Sequence, residues 1–193
     1  GAVVLDTGAN AGNILFSSTI ASAGNALTLD AGSGGNITLG ALTGNGNLSV
    51  TDGAVQVYAV LTVAALTITD ATTSVTFGGA ITASGAVNID SGGTIALNAA
   101  IASATTVHID AGGVTTVAAA GDITASDVVV FGATLTGALT TSGDITTTND
   151  AITFTRAVTL GGAVVLDTGA NAGNILFSST IASAGNALTL DAG

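Results

Sequence analysis

Short apolar segments recur along this chain, and within each segment the apolar residues alternate with Thr, Ser, Asn or Ala. Three such segments fall in each stretch of about 20 residues, and Gly, Asn, Ser or Asp lie between them. These polar residues and glycines favour turns. Alternation with a period of two indicates half-buried strands, whereas an amphipathic helix would repeat every 3.6 residues. The pattern therefore predicts an all-β fold of many short strands.

The apolar segments fall into three series, which we interpret as three strands in each coil. The first series is Val3/Leu5, Leu27/Leu29, Val87/Ile89, Val107/Ile109 and Val128/Val130. The second series is Ile14/Phe16, Ile37/Leu39, Val55/Val57, Val75/Phe77, Ile95/Leu97 and Ile152/Phe154. The third series is Ile20, Leu42, Leu61, Ile81, Ile101, Ile123 and Val158. We expect these residues to point inward and to stack in columns.

Three strands per coil and columns of like residues predict a right-handed parallel β-helix, a β-solenoid with about 20 residues per coil. We count eight coils in 161 residues, each 17 to 24 residues long. Coils that pair about 4.8 Å apart would give a rise of roughly 38 Å for that length. The variable coil length favours the right-handed helix over the stricter left-handed hexapeptide type. The absence of Pro agrees, because Pro would remove a hydrogen-bond donor from a strand that is paired on both edges.

Residues 1–32 and 162–193 have the same sequence, 161 residues apart. An identity of this length indicates a tandem repeat. We therefore expect residues 1–161 to be one complete repeat unit. Residues 162–193 would be the start of the next unit, continuous with the same solenoid. We interpret the chain as an excerpt from a much longer polypeptide.

Charge is scarce and almost entirely negative, which excludes several classes of partner. Charged residues make up 7% of the chain, Arg156 is its only Lys or Arg, and the net charge is −11. Such a chain cannot neutralise phosphates, so nucleic acid is excluded as a partner, and so is an anionic membrane surface. The most apolar stretch, residues 54–68, is too short to span a bilayer, and we expect no membrane insertion. The absence of Cys excludes disulfides and thiolate metal sites.

Aspartate closes the first strand of most coils. The residues concerned are Asp6, Asp30, Asp52, Asp70, Asp90, Asp110 and Asp167, with Phe131 at the position where the series is interrupted. Two carboxylates one coil apart repel by about 0.9 kcal/mol even in water. Our first interpretation is that each Asp accepts hydrogen bonds from its own turn. The alternative is that cations, calcium for example, bridge neighbouring side chains, with Asp6, Asp30, Asp90 and Asp110 as candidates.

Other chemistry is sparse, and we expect neither catalytic nor cofactor-binding residues. His108 lies between Val107 and Ile109, so it should face outward as a surface residue. Arg156 follows Phe154 by two, and we expect it at a corner, in solvent or paired with an Asp. Carbohydrate-cleaving enzymes need carboxylates clustered in one groove, whereas these Asp residues are spread evenly. The sequence therefore predicts a protein that is not an enzyme and needs no cofactor, with calcium as the one candidate ion.

Two phrases carry a resemblance to a known family: GNITLGALTGNGNL at Gly35–Leu48 and SVTFGGAIT at Ser74–Thr82. They resemble the repeats of giant secreted bacterial adhesins of the filamentous haemagglutinin type. The resemblance extends over the whole chain in composition and rhythm. It implies a right-handed parallel β-helix, export to the cell surface and a fibre that reaches outward from it. It implies no catalytic residues.

We therefore expect a structural rod segment of a giant repetitive protein, extracellular or on the cell surface, that acts as an adhesin stalk or fibre. Its partners would be neighbouring copies of itself along the chain, and a glycan or cell-surface receptor. One alternative is a filament or sheath that assembles by lateral association of such rods. The other is a β-helix that binds or cleaves polysaccharide, which would need a groove with aromatic or carboxylate clusters.

Overall fold

The chain folds into a parallel β-solenoid. The computed structural model describes residues 1–9, 12–171 and 173–193, and in this part of the chain there are 25 strands and no helix. All pairings between these strands are parallel, and the solenoid has about nine turns, with equivalent strands roughly 21 residues apart. The predicted all-β parallel solenoid is confirmed.

Each turn presents three faces, which we number in chain order. The first face consists of β1 (Val3–Asp6), β4 (Leu27–Asp30), β11 (Val87–Ser91), β14 (Val107–Ala111), β17 (Val129–Phe131), β20 (Ile152–Phe154) and β23 (Ile175–Phe177). The second face consists of β2 (Ile14–Phe16), β5 (Asn36–Leu39), β12 (Thr94–Leu97), β15 (Thr115–Val117), β18 (Leu139–Thr141), β21 (Val158–Leu160) and β24 (Ile181–Ala182). The third face consists of β3 (Ile20–Ala21), β6 (Leu42–Thr43), β8 (Leu61–Val63), β10 (Ile81–Ala83), β13 (Ile101–Ser103), β16 (Ile123–Ala125), β19 (Ile145–Thr147), β22 (Val164–Asp167) and β25 (Leu188–Asp191).

Two long strands join the first and second faces. In β7 (Leu48–Tyr58) and β9 (Leu66–Phe77) the chain passes round the corner between these faces without leaving the strand. The first half of each strand pairs on the first face and the second half on the second face. The two faces therefore form one 16-stranded sheet, while the third face is a separate 9-stranded sheet. We call the corner between the first and second faces the first corner.

Alternate side chains on every face point inward and form the apolar core. On the third face, for example, Leu61, Ile81, Ile101 and Ile123 pair in register and are each 1% exposed or less. Burying a side chain of this size stabilises a fold by about 1.5–3 kcal/mol. The stacked columns therefore hold the solenoid together along its axis. Most outward positions carry small polar side chains, as the alternation predicted, although Leu15 and Leu176 are exposed apolar exceptions.

The second half of β7 has the opposite orientation to the one predicted. Val55 and Val57 were expected to point inward, yet Val57 is 38% exposed, whereas Gln56 and Tyr58 are fully buried. The ladder explains this orientation, because Gln56 pairs with Ile37 below and Val75 above. The register shift between Gly53 and Val55 puts the extra residue in β9, where their partners are Ala71 and Ser74. Strand β7 therefore keeps its alternation through the corner, and Gln56 and Tyr58 point inward like Leu48 and Val50. The prediction of Val55/Val57 as core residues is wrong.

The register was also misjudged near the end of the unit. Val129 and Phe131, rather than Val128 and Val130, pair with Val107 and Ile109 and are buried. Beyond that point, Ile152/Phe154 lie on the first face rather than in the second series, and Val158 lies on the second face rather than in the third series. The reason is the 132–138 loop, which delays β18 although its residues 133–136 alternate like a strand.

The two identical segments lie in one solenoid but on different faces. Strand β1 is on the first face, whereas its counterpart β22 is on the third. From β1 to β22 the chain occupies 23 strand positions, since β7 and β9 serve two faces each, and 23 positions at three per turn make seven and two-thirds turns. The unit thus falls one face short of the eight coils expected. Its rise is about 37 Å at 4.8 Å per turn.

Candidate functional site

The first corner gathers six of the twelve aspartates. Asp6, Asp30, Asp52, Asp70, Asp90 and Asp110 follow one another along it, coil by coil. Asp167 does not belong to this column, because β22 ends at a different corner. The position after Asp110 is taken by Gly132, since Phe131 points into the core beside Ile109.

The first two members of the column cap their own turns. Asp6 Oδ1 accepts the N–H of Gly8 over 2.6 Å, and Asp30 Oδ1 accepts the N–H of Gly32 over 3.0 Å. Gly32 has a φ of +66°, a conformation that L side chains rarely adopt. These bonds are those expected for turn capping, and each uses only one oxygen of its carboxylate. Asp167 repeats the arrangement, with Gly169 N–H at 2.7 Å.

Asp52 is less well accommodated. Its Oδ1 has neither a hydrogen-bond partner nor contact with solvent. Burial raises the pKa of this carboxyl, and so do the charges of Asp70 and Asp30, against a lowering by the N–H of Gly53. Like charges in the column therefore disfavour the ionised form of Asp52.

Three titratable groups come together in the next two coils. Asp90 and Asp110 are direct partners in the ladder of β11 and β14, and His108 faces outward two residues before Asp110. Nδ1 of His108 lies 3.9 Å from Oδ1 of Asp90. One ligand atom from each of the three residues lies within 4.8 Å of the other two. We call these three residues the His108 cluster.

The members of the cluster differ in exposure. Asp110 is 2% exposed, whereas the side chains of Asp90 and His108 are 42% and 30% exposed. Nε2 of His108 nevertheless has no contact with solvent and no hydrogen-bond partner in the described chain. His108 therefore faces outward, and it lies beside two carboxylates.

The 132–138 loop folds back onto Asp110. Oδ2 of Asp110 accepts the N–H of Thr134 at 2.7 Å, the hydroxyl of Thr134 at 3.0 Å and the N–H of Leu135 at 3.0 Å. Oδ1 has no partner and no solvent contact. Burial raises the pKa of this carboxyl, but the bonds from Thr134 and Leu135 outweigh it and hold the pKa below the usual value. Asp110 is therefore a fixed carboxylate with one free oxygen.

The other candidate features do not form a site. Arg156 is half-buried beside Gly132, its Nε has no partner, and it makes no ion pair with any residue that the structure describes. A hollow of about 410 Å³ is lined by Leu5, Phe16 and Ile20, the same inward positions that fill the core in other coils. It is core surface left open in the first coil.

Asp6 and Asp30, two of the candidates for cation bridging, lie outside the His108 cluster, whereas Asp90 and Asp110 belong to it.

The sequence contains a signal for this cluster. His108 and Asp110 are two residues apart on one strand, so alternation places them on the same side, and Asp90 is one coil away. The role of Thr134 had no such signal, because residues 133–136 alternate like a strand and yet form a loop. Chemically, the cluster can share one cation between an imidazole and two carboxylates.

Comparison of the chain with protein-family models, with curated proteins and with solved structures found no match. Within the described residues, no helix is long and apolar enough to cross a membrane.

Proposed function

We propose that this chain is a structural segment of an extracellular rod, the stalk or fibre of a giant repetitive adhesin of the filamentous haemagglutinin type. The observation that carries the proposal is the junction between the unit and its second copy. At this junction β23 pairs with β20, β24 with β21 and β25 with β22, so the ladder continues without a break on all three faces. Adding a unit therefore lengthens one rod instead of starting a separate domain.

The distribution of side chains supports a mechanical role. Tyr58, Phe77, Phe131 and Phe154 are buried, which leaves few aromatic rings for stacking against sugars. The outward positions carry mostly Thr, Ser, Asn and Ala. The segment would act by length and stiffness, because each coil is hydrogen-bonded to the next along the axis. We propose that it has no catalytic activity and that adhesion to a glycan or receptor is a property of the whole protein.

The experiment that tests the proposal measures length against repeat number. Proteins with one, two and three 161-residue units should be rods of constant cross-section, and each unit should add about 37 Å in small-angle X-ray scattering or electron microscopy. Units joined as separate beads would contradict the rod. Side-by-side bundles in the same micrographs would favour the laterally assembled filament.

The cellular location needs its own test. Antibodies against the folded segment should label fibres on the outside of intact source cells in immunogold electron microscopy. Labelling that requires permeabilised cells would contradict the extracellular assignment. Permeabilised cells, labelled in parallel, provide the control for antibody activity.

A further inference from the structure

The His108 cluster stands apart from the rest of the acidic column because two of its buried polar atoms lack partners. Oδ1 of Asp110 and Nε2 of His108 are both shielded from solvent and make no hydrogen bond within the described residues. Buried polar groups in folded proteins are paired in the great majority of cases, and an unpaired one is costly. The unpaired oxygen of Asp110, close to a second carboxylate and to an imidazole that can offer one nitrogen, points to a cation.

We propose that the His108 cluster binds one divalent transition-metal ion of the zinc class, coordinated by Asp90, His108 and Asp110. The proposal is independent of the rod function. It differs from general cation bridging along the Asp column in two ways. An imidazole takes part, and the other aspartates of the column are not ligands.

The donor set selects the ion. An imidazole with two carboxylates suits Zn²⁺, Co²⁺, Ni²⁺ or Mn²⁺, whereas Ca²⁺ takes six to eight oxygen ligands. Around tetrahedral Zn²⁺, with bonds of about 2.0–2.2 Å, ligand atoms lie about 3.4 Å apart. Here Nδ1 of His108 is already 3.9 Å from Oδ1 of Asp90. Three protein ligands would leave a fourth position for water, on the side where Asp90 and His108 are partly exposed.

The fold fixes one carboxylate ligand and leaves the other free to move, so the site can close around an ion. Asp110 is fixed, since its Oδ2 accepts three hydrogen bonds from the 132–138 loop and its free Oδ1 is left as a ligand. Asp90 makes no side-chain hydrogen bond to the described chain and is partly exposed, so it can move the small distance needed. The strand backbones are locked by pairing of β11 with β14.

Other carboxylate pairs of the column provide an internal comparison. Asp6 and Asp30 pair in the ladder just as Asp90 and Asp110 do, but each gives Oδ1 to a glycine N–H and neither has an imidazole nearby. The His108 cluster is the group that the described residues offer with three such ligands. A bound ion would connect two successive coils and cancel the repulsion between their carboxylates.

The test is a metal titration of the folded 193-residue protein, freed of any purification tag and dialysed against a chelator. Calorimetry should show one equivalent of Zn²⁺ bound at micromolar concentration, and Co²⁺ should give visible absorption of a low-coordinate site. The Tm should rise with Zn²⁺ and fall again with chelator. The same titration with Ca²⁺ should show at least tenfold weaker binding.

Substitutions assign the ligands. His108→Asn is compatible with the ladder, because Asn88 occupies the equivalent position one coil earlier. It should weaken Zn²⁺ binding more than tenfold, since even the loss of a group behind a ligand costs 10- to 100-fold. The matched control Asp70→Asn removes an exposed carboxylate of the same column and should bind like the parent.

Two results would overturn the proposal. One is the absence of Zn²⁺ binding by the folded parent protein, and the other is binding that His108→Asn leaves unchanged. If circular dichroism shows that His108→Asn does not fold, Asp90→Asn replaces it, because Asp90 makes no hydrogen bond to the described chain that its loss would break. Binding of Ca²⁺ as tight as that of Zn²⁺ would refute the transition-metal assignment.

Discussion

The hydroxyl of Tyr58 donates a hydrogen bond to Oε1 of Gln56 over 2.7 Å, and both side chains lie inside the solenoid without exposed surface. Nε2 of Gln56 in turn donates to the carbonyl oxygen of Gly53 over 3.3 Å. The ring of Tyr58 stacks on Phe77 with centroids 5.2 Å apart. Burial raises the pKa of Tyr58, which keeps the phenol neutral and able to donate. The polar pair is thus satisfied within an apolar core.

Breaking this pair from one side should cost more than removing both partners. Tyr58→Phe leaves Oε1 of Gln56 buried without a donor, and we expect a loss of about 1–3 kcal/mol in the free energy of unfolding. Gln56→Leu should cost a similar amount, because it isolates the hydroxyl. The double variant should lose clearly less than the sum of the single losses, as measured by guanidinium denaturation. Additive losses would mean that the two groups are not coupled.

Gly32 should tolerate no side chain. It has a φ of +66°, and an added Cβ would lie 2.6 Å from the carbonyl oxygen of Gly8. Gly32→Ala should therefore destabilise the protein by about 1–3 kcal/mol. The control is Gly92→Ala at the same corner, where the Cβ would meet only the carbonyl oxygen of Ala71 at 3.7 Å. That change should be neutral or stabilise by up to about 1 kcal/mol, and equal thermal melting shifts for the two variants would contradict the argument.

Asp52→Asn should stabilise the protein at pH 7 and lose this effect in acid. Burial and the charges of Asp70 and Asp30 raise the pKa of Asp52 above the 3.8 of the free side chain. The penalty on the charged form is absent below the unfolded pKa and complete above the folded pKa. The Tm advantage of Asp52→Asn should therefore be present at pH 7 and vanish near pH 3.

Two further variants check the cause of the Asp52 shift. Asp70→Asn should give a smaller stabilisation at pH 7, because it removes one of the repelling charges. Asp150→Asn, a carboxylate outside the column, is the matched control for the substitution itself. A Tm advantage of Asp52→Asn that is the same at pH 3 and pH 7 would argue against a charge effect.

Stacked rings should make Phe154 more costly to replace than Phe77. Phe154 lies between Phe131 and Phe177, with centroids 5.5 Å and 4.7 Å away, whereas Phe77 stacks on Tyr58 alone. An aromatic pair contributes about 0.5–1.5 kcal/mol beyond burial. Phe154→Leu should therefore lower the free energy of unfolding by about that much more than Phe77→Leu. Equal losses in denaturant titrations would indicate that ring stacking contributes little.

Alternation predicted the strands because each face has one buried side. The alternation pattern gave the wrong orientation at Val55–Tyr58. There the apolar residues Val55 and Val57 point outward, and the more polar Gln56 and Tyr58 point inward. The orientation there continues the alternation of Leu48 and Val50 across the first corner and is held by pairing with β5 and β9. The short window of residues 55–58 does not reveal it.

The His108 cluster could be predicted in part. The strand period places His108 and Asp110 on the same side, and the coil length brings Asp90 alongside. The fixed orientation of Asp110 could not be foreseen. It depends on the conformation of the 132–138 loop, which brings Thr134 next to Asp110 from 24 residues later in the chain. Likewise, the identity of residues 1–32 and 162–193 suggested equal placement, whereas the number of strands between them decides the face.

Leu15 and Leu176 occupy the same place in the two identical segments, yet Leu15 projects from the second face and Leu176 from the first. In an array of such units, every outward side chain would step round the rod from one repeat to the next. It would return to its original direction only after three units, or 23 turns, about 110 Å along the axis. Such a rod presents the same residues in every direction. A flat surface in contact with one side of the rod would meet a given residue once in three repeats. A partner that approaches from any side would find the full set of outward residues within that distance.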